Sequence, residues 1–261
     1  MARREKSSYV IKSVAHALAV LEELGREGDE LGVSELSRRL NLHKNNIFRL
    51  LATLETKGYV EQNKETENYR LGLKILELAQ NYLRQMNLVK QIKPILEEVV
   101  ERCDENAGLA VLRDQWIVYL DVVEASQMVR VACRAGWRIP AYASAAGKVQ
   151  LAYKSQSEVE RIIDWKGVKA FTSNTITEKE TFLQHLQEVR ERGYAVDDEE
   201  YEEGVRCVAV PVRDYTKRVI AGISVQAPAF RLTNERIEEE IVPLLKEAGL
   251  KASQKLGYTG S

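Results

Sequence analysis

The chain has 261 residues, enough for two domains and a sizeable core in the larger one. Its 38 basic against 39 acidic residues leave a formal net charge of −1, which excludes a polybasic protein that coats nucleic acid; any DNA contact must come from a local patch. No apolar run approaches membrane-spanning length, so no membrane partner is expected, and Cys103, Cys133 and Cys207 are too scattered for a disulfide scaffold or zinc ribbon, which points to a reduced, cytoplasmic protein.

The opening MARREKSSY is basic through Arg3, Arg4 and Lys6 but has no apolar core of a secretory signal, so residues 1–12 read as an N-terminal arm. Ser13 is a candidate cap for a helix with Val14, Ala17, Leu18, Leu21 and Leu24 at helical spacing, stopping near Gly25. A short helix, VSELSRRL, follows, then a tight break at Asn41–Leu42 and a second helix. Ile47, Leu50, Leu51 and Leu54 stand at i, i+3, i+4 and i+7, so that helix has one apolar, buried face. Asn45, Arg49 and Thr56 fall opposite it, with Asn46 and Thr53 on the flank. Asn and Arg are the side chains that read adenine and guanine edges in a major groove. The stretch Leu36–Leu54 also carries Arg38, Arg39 and Lys44 and no acid. Arg38, His43, Lys44, Asn45, Asn46 and Arg49 are therefore the candidate contacts to double-stranded DNA.

Lys57-Gly58 is a plausible helix stop. Tyr59–Glu61 and Tyr69–Leu71 then make a hairpin around the polar tip Gln62–Asn68, although the tip lacks an Asn-Gly turn. Helix, turn, helix and hairpin make residues 13–72 a winged helix-turn-helix. Lys64 is the candidate wing contact, beside Glu61, Glu65 and Glu67. Two other readings stay open: a charged helix face that is only solvated surface, and a winged helix that binds protein rather than DNA.

Residues 73–87 read as a helix with a wide apolar stripe built on Leu73, Leu76, Leu83, Ile75, Leu78, Tyr82 and Met86. It is either a linker helix between domains or the last helix of the first one. Leu88–Cys103 is a further amphipathic helix with Pro94 near its first turns. From Ala107 the period changes, and Leu109–Leu112, Trp116–Val123 and Met128–Cys133 read as strands. Three helices follow: Ala145–Tyr153 capped by Ser144, Val159–Trp165 behind the capping pair Ser157/Glu160, and Phe182–Arg192 behind Thr177/Glu180. Strand patterns return at Tyr194–Val196, Cys207–Arg213 and Val219–Gln226, with Asp214–Arg218 as a hairpin turn, before a last helix capped by Thr233 or Asn234. Residues 88–258 are thus expected to form an α+β domain with a mainly antiparallel sheet.

The winged helix together with YASAAGKVQLA (142–152), GYAVDDEE (193–200) and EGVRCVAV (203–210) resembles the IclR family of bacterial transcription regulators, from about Ser13 to Gly257. The resemblance implies a GAF-like effector domain, dimers joined through the N-terminal domains and often paired into tetramers, and a repressor bound to a promoter palindrome. Family members that bind small oxo-acids use positions matching Met128, Ile139, Ala145, Ala146, Asp197, Cys207, Ser224 and Gln226. Gln226 stands where Ser is common and Ala145 where Gly is, which speaks against a glyoxylate-like effector and for a keto sugar acid or an aromatic acid. The run EEYEEGVRCVAVPV resembles the 2-keto-3-deoxygluconate regulators most.

The residues themselves suit a small carboxylate. Ser144–Gly147 opens a helix, where free backbone N–H groups favour an anion, although Ala145 and Ala146 are equally small for packing. Ser224 and Gln226, at i and i+2, share one strand face. Rival readings rest on the same stretch. Cys207 as an enzyme nucleophile has no His near it in sequence, and the effector half holds only His185. A metal or thiol sensor using Asp197, Cys207 and Cys133 mixes hard and soft ligands without a supporting spacing. No enzymatic activity, cofactor or metal is expected.

Overall fold

The computed structural model describes residues 10–27, 30–85 and 87–260, and the chain divides after residue 85 into two compact units. The basic arm residues Arg3, Arg4 and Lys6 lie outside the described residues, as does Met86.

The first unit contains α1 (Lys12–Glu27), α2 (Val33–Leu40), α3 (Lys44–Thr56), the hairpin β1 (Val60–Gln62) and β2 (Tyr69–Leu71), and α4 (Leu73–Gln85). Val20 and Leu24 of α1, Leu36 of α2, Ile47, Leu51 and Leu54 of α3, and Val60 and Tyr69 of the wing close one small core. Ser13 is not the cap of α1. The helix opens earlier, with Ile11 O accepting from the N–H of Val14 and Ala15 at 3.0 and 3.1 Å, and it continues past Gly25. Asn41 makes the tight break in the left-handed region at φ +51°, a conformation Asn tolerates better than most residues. Ser37 clasps that turn: its carbonyl accepts from Leu42 N (3.1 Å) and its hydroxyl donates to Leu42 O (2.5 Å). Gly58, at φ +75°, ends α3, with Tyr59 N donating back to Leu54 O. α4 exposes Leu73, Leu76 and Leu78.

The second unit is a six-stranded, fully antiparallel sheet in the order β5-β4-β3-β8-β7-β6. Its strands are β3 (Asn106–Arg113), β4 (Trp116–Val123), β5 (Arg138–Pro140), β6 (Ala195–Asp198), β7 (Val205–Arg213) and β8 (Val219–Pro228). Alternation sorts the side chains to two faces. Leu109, Val111, Val208, Val210, Ile223 and Val225 pack under α5 (Asn87–Cys103) and the last helix, α9 (Val242–Lys255). Ala110, Tyr119, Cys207 and Ala209 face the other way, toward α6 (Ala145–Leu151) and α8 (Lys179–Arg192). Gly222, Ser224 and Gln226 of β8 alternate onto that second face. A short helix α7 (Gln156–Ile162) lies between α6 and α8 in sequence, and a π-helical segment, Ile237–Ile241, precedes α9.

Three local expectations shift. Met128–Cys133 is not a strand. The ladder position beside β4 goes to Gly136–Pro140, through Gly136 N to Tyr119 O (2.8 Å) and Tyr119 N to Trp137 O (3.0 Å). The capping box of α7 is Ser155/Glu158 rather than Ser157/Glu160; Glu160 pairs with Lys179 at 2.8 Å instead. Helix α8 begins after Glu178 with no side-chain cap, so Thr177 does not cap it. Ser144 caps α6, and Thr233 caps the turn that opens the final helical stretch, as the pattern implied.

Candidate functional site

The outward face of α3 carries His43, Lys44, Asn45 and Arg49 exposed and Asn46 half-buried. Ile47, Leu51 and Leu54 hold the opposite face in the core, which fixes the orientation of this row. Neither Lys44 nor Arg49 makes an ion pair among the described residues. Arg38 differs. It grips Glu35, one residue ahead of the acid-free stretch, with Nε at 3.0 Å and Nη2 at 2.6 Å. Arg39 donates to the same carboxylate (2.6 Å) and to Glu23 (3.1 Å). The two guanidiniums hold the Glu35 carboxyl down at about 2. The free positive charge is therefore smaller than a count of α2 and α3 suggests. Thr53 and Thr56 donate their hydroxyls to Arg49 O and Ala52 O at 2.8 Å, so both protons are spent within the helix. Lys64 is exposed at a wing tip that Glu30 braces through Asn63 (2.9 Å) and Thr66 (2.8 Å). Phe48 escaped the sequence reading; it is 57% exposed and lines a groove with Val14 and Leu18 of α1.

In the second unit a cavity of about 410 Å³ lies against the α6/α8 face of the sheet. That is a small-molecule volume. Four of the eight residues that the family resemblance pointed to line it: Ile139, Asp197, Cys207 and Gln226. Tyr119, Arg130–Cys133, Trp137, Tyr201 and Glu202 complete most of the wall.

The remaining four fall elsewhere. Ser224 is fully buried beneath Gln226, whose Nε2 donates to its hydroxyl at 2.6 Å. Met128 is 95% exposed on the irregular segment 124–137, which lines the cavity through Arg130–Cys133 and Trp137 instead. Ala145 and Ala146 are buried and are not among the lining residues. At the opening of α6 Ser144 Oγ accepts from Gly147 N (3.2 Å), and Gly147 packs so closely that a Cβ on it would sit 2.2 Å from Ala141 O. Gly147 N is thus taken by the cap, and Gly147, like Ala145 and Ala146, is not among the residues that line the cavity.

Gln226 is 2% exposed, and its Oε1 has no hydrogen-bond partner among the described residues. Gly108 on β3 makes room for it, since a Cβ there would lie 2.8 Å from the Tyr119 ring and 3.2 Å from Gln226 Nε2. Asp197 is 4% exposed and accepts from Glu200 N at 2.8 Å. Burial pushes its carboxyl up to about 7, against the pull of the Lys148 ammonium. Lys148 is wholly buried; it donates to Val196 O (2.6 Å) and is ion-paired with Glu200. This Lys of the ASAAGK segment had no assigned role, because a helical Lys ordinarily reads as solvated surface.

The thiols are quiet. Burial raises Cys133 to about 12 and, with Asp197 beside it, lifts Cys207 well above the usual thiol value. A nucleophilic or metal-binding thiolate needs the opposite shift. No group of three or more His, Cys, Asp or Glu among the described residues is placed to hold a metal ion, and no described helix is long and apolar enough to cross a membrane.

Comparison with known proteins agrees across both units. The family description "IclR helix-turn-helix domain" matches residues 13–64, and "Bacterial transcriptional regulator IclR C-terminal" matches residues 80–254. The HTH-type transcriptional regulator KdgR of Escherichia coli (strain K12) is 38% identical over 254 residues, covering 97% of this chain and 96% of its own. The crystal structure of an IclR transcriptional regulator from Alicyclobacillus acidocaldarius superposes with a TM-score of 0.84 at 32% identity, over 95% of this chain and 100% of that one. An IclR homolog from Microbacterium hydrocarbonoxydans, complexed with 4-hydroxybenzoate, gives 0.81 at 25% identity over 94% and 98%. These relatives are transcriptional regulators, not enzymes. With a winged helix-turn-helix in front of an α+β effector domain, the chain belongs to the IclR family and is a DNA-binding transcriptional regulator under small-molecule control.

Proposed function

We propose that the protein is a cytoplasmic repressor that binds a palindromic operator as a symmetric dimer, or a dimer of dimers, and responds to a small hydroxylated carboxylate held in the cavity of its second unit. The observation that carries the effector reading is the polar floor of that cavity. Gln226 Oε1 is buried without a partner among the described residues, and Asp197, two strands away across Cys207, lines the same cavity as an acceptor or, when protonated, a donor. A buried acceptor left without a hydrogen bond costs free energy, and a ligand hydroxyl supplies the missing donor. That favours a keto sugar acid such as 2-keto-3-deoxygluconate, or a hydroxylated aromatic acid, over a bare oxo acid.

The operator reading rests on Arg49, Asn45 and Asn46, set opposite the buried stripe of α3, with Lys44, His43, Arg38 and Lys64 as backbone-facing groups. One recognition helix makes few base contacts, and two-fold symmetry doubles them. Exposed Val14 and Leu18 on α1 and Leu73, Leu76 and Leu78 on α4 supply apolar surface for self-association in the same unit. Release requires only that the acid bind more tightly to the state with the lower operator affinity.

The test is fluorescence anisotropy on a fragment of the upstream promoter, with a thermal-shift panel of small carboxylates run in parallel. The reading expects salt-dependent, sequence-specific binding, and one acid that both raises the melting temperature and lowers the operator affinity. Monomer alone at micromolar concentration in the ultracentrifuge, or no shift on promoter DNA, contradicts it.

A further inference from the structure

The exposed face of α3 carries one large apolar side chain among its polar ones. Phe48 is 57% exposed, and no other aromatic ring pairs with it among the described residues. A side chain left in water gains little from burial, so the stability of the first unit does not call for a Phe here.

Its place on the helix is more telling. Phe48 is the fifth residue of α3, four after Lys44, three after Asn45 and one before Arg49. At about 100° per residue, Phe48, Ala52, Asn45 and Arg49 follow one another around the face turned away from Ile47 and Leu54. Phe48 and Ala52, at i and i+4, make a short apolar strip beside Asn45, with Ala52 half-buried. The strip lies toward the start of the helix, the part of a recognition helix that meets base edges. Asn and Arg side chains serve adenine and guanine edges there, but they cannot use the one apolar feature of the major groove, the 5-methyl group of thymine. Phe and Ala are side chains that can.

A second copy of this chain is the rival occupant, because Phe48 lines a groove with Val14 and Leu18 of α1. Asn46, Arg49 and Thr53 line that groove too. A subunit seated over Phe48 would therefore cover Asn46 and Arg49 as well and take them from the DNA. Phe48 is continuous with the polar row of its own helix, and operator DNA is the occupant that leaves the whole row in use.

We infer that Phe48, with Ala52 one turn on, packs against a thymine 5-methyl group in each operator half-site and makes the protein select thymine there. The inference rests on the reading of α3 as the operator-binding helix and adds an apolar contact to its hydrogen bonds. Burial of one methyl group is worth about fourfold in affinity, so two half-sites together should give about tenfold.

The experiment selects duplexes from random-sequence DNA on the full chain, then remakes the best site with uracil in place of thymine, one symmetric pair of positions at a time. Uracil lacks only the methyl group. Fluorescence anisotropy on the wild type should show a loss of about tenfold at one such pair and little at the others. Phe48→Ala should bind the thymine site as weakly as the wild type binds that uracil site, with a thymine-to-uracil ratio near one. Phe48→Leu should keep part of the ratio. Lys44→Ala should weaken both probes alike and leave the ratio unchanged, since a phosphate contact carries no base information. Phe48 is exposed, so the melting curve and the sedimentation of Phe48→Ala should match the wild type. A wild type indifferent to uracil at every position overturns the inference without any variant, and so does a Phe48→Ala that keeps the wild-type ratio. Equal loss on both probes together with a shift to monomer would assign Phe48 to a subunit contact, overturning the inference while the operator reading stands. A selection that enriches no sequence removes the operator reading and the inference together.

Discussion

The two candidate surfaces of this chain handle polarity in opposite ways. On α3 the polar side chains point into water, and the strongest charges nearby are neutralised beforehand, Arg38 and Arg39 by Glu35 and Glu23. In the cavity Asp197 and Gln226 are buried, and Gln226 Oε1 has no partner among the described residues. A solvated surface binds by displacing counterions and adding a few base contacts, so its mutants should lose affinity in proportion to salt and sequence. A buried site binds by completing hydrogen bonds already desolvated, so its mutants should change ligand choice or the fold itself. Substitutions of a single charge on each side can break or sharpen that contrast.

The largest effect is expected beneath the cavity. Lys148 and Glu200 form a buried pair, with Lys148 fully enclosed and donating also to Val196 O. Lys148→Ala leaves the Glu200 and Asp197 carboxyls without their cation and should cost about 3–5 kcal/mol. Chemical denaturation should show the loss, with the transition of the second unit moving and that of the first unit staying. A variant as stable as the wild type would mean that the pair is not a structural element. Next in size is Arg49→Ala. A base-reading contact is worth about 1–3 kcal/mol, and a dimer loses it twice. Anisotropy should show specific operator binding reduced to the nonspecific level, while both thermal transitions remain. Unchanged sequence preference would remove Arg49 from the readout.

The contrast also decides what could be seen in the sequence. The α2–α3 pair was legible residue by residue, because i, i+3, i+4, i+7 spacing and one left-handed Asn are local signals. Alternation likewise placed Ser224 and Gln226 on one face of β8. Which side of the sheet that face meets depends on α5 and α9 covering the other one, and strand period does not contain that information. Ser155-x-x-Glu158 and Ser157-x-x-Glu160 offer the same capping pattern, and only the end of the preceding helix selects the first. The segment 124–137 is shaped by side chains of Asp104 and Asn106 rather than by its own propensities, so its β-rich composition misled. Glu35, the partner of Arg38, lies one position outside the acid-free window, so the charges within that window do not show the pairing. Gly108 gains its position from the β3–β4–β8 register, and Lys148 finds Glu200 far along the chain.

Acidity sets a third, smaller difference between the regions. Asp197 has its carboxyl raised from the ordinary 3.8 to about 7 by burial. Between those values the folded state holds a proton that the unfolded state has released, so this group's contribution to stability is full below about pH 4 and declines as pH rises toward 7. Asp197→Asn should remove that decline. Acid binding should follow the same sign: an anion beside Asp197 prefers it protonated, so affinity should fall as pH rises through about 7 in the wild type and stay flat in Asp197→Asn. Calorimetry at several pH values checks it, with proton uptake on binding as the signature. No proton uptake near neutrality would place the acid away from Asp197.

The smallest expected effects separate two cations that a reading of the sequence treats alike. Lys44 opens α3, exposed and without an ion pair among the described residues, whereas Arg38 is held by Glu35 in two hydrogen bonds. A cation that contacts phosphate adds about one unit to the slope of log affinity against log salt, because it displaces about one counterion. Lys44→Ala should lower that slope by about one unit per protomer. Arg38→Ala should lower it by less, since Arg38 must leave Glu35 before it reaches a phosphate. Glu35→Gln then becomes the sharper probe. It releases Arg38, while Arg39 keeps Glu23, and it removes one negative charge from the surface, so nonspecific DNA affinity should rise and the salt slope steepen, without any change in sequence preference. Equal slopes for Lys44→Ala and Arg38→Ala, with no gain in Glu35→Gln, would mean that the ion pairs on α2 dissolve on DNA and that the surface behaves as a plain count of its charges.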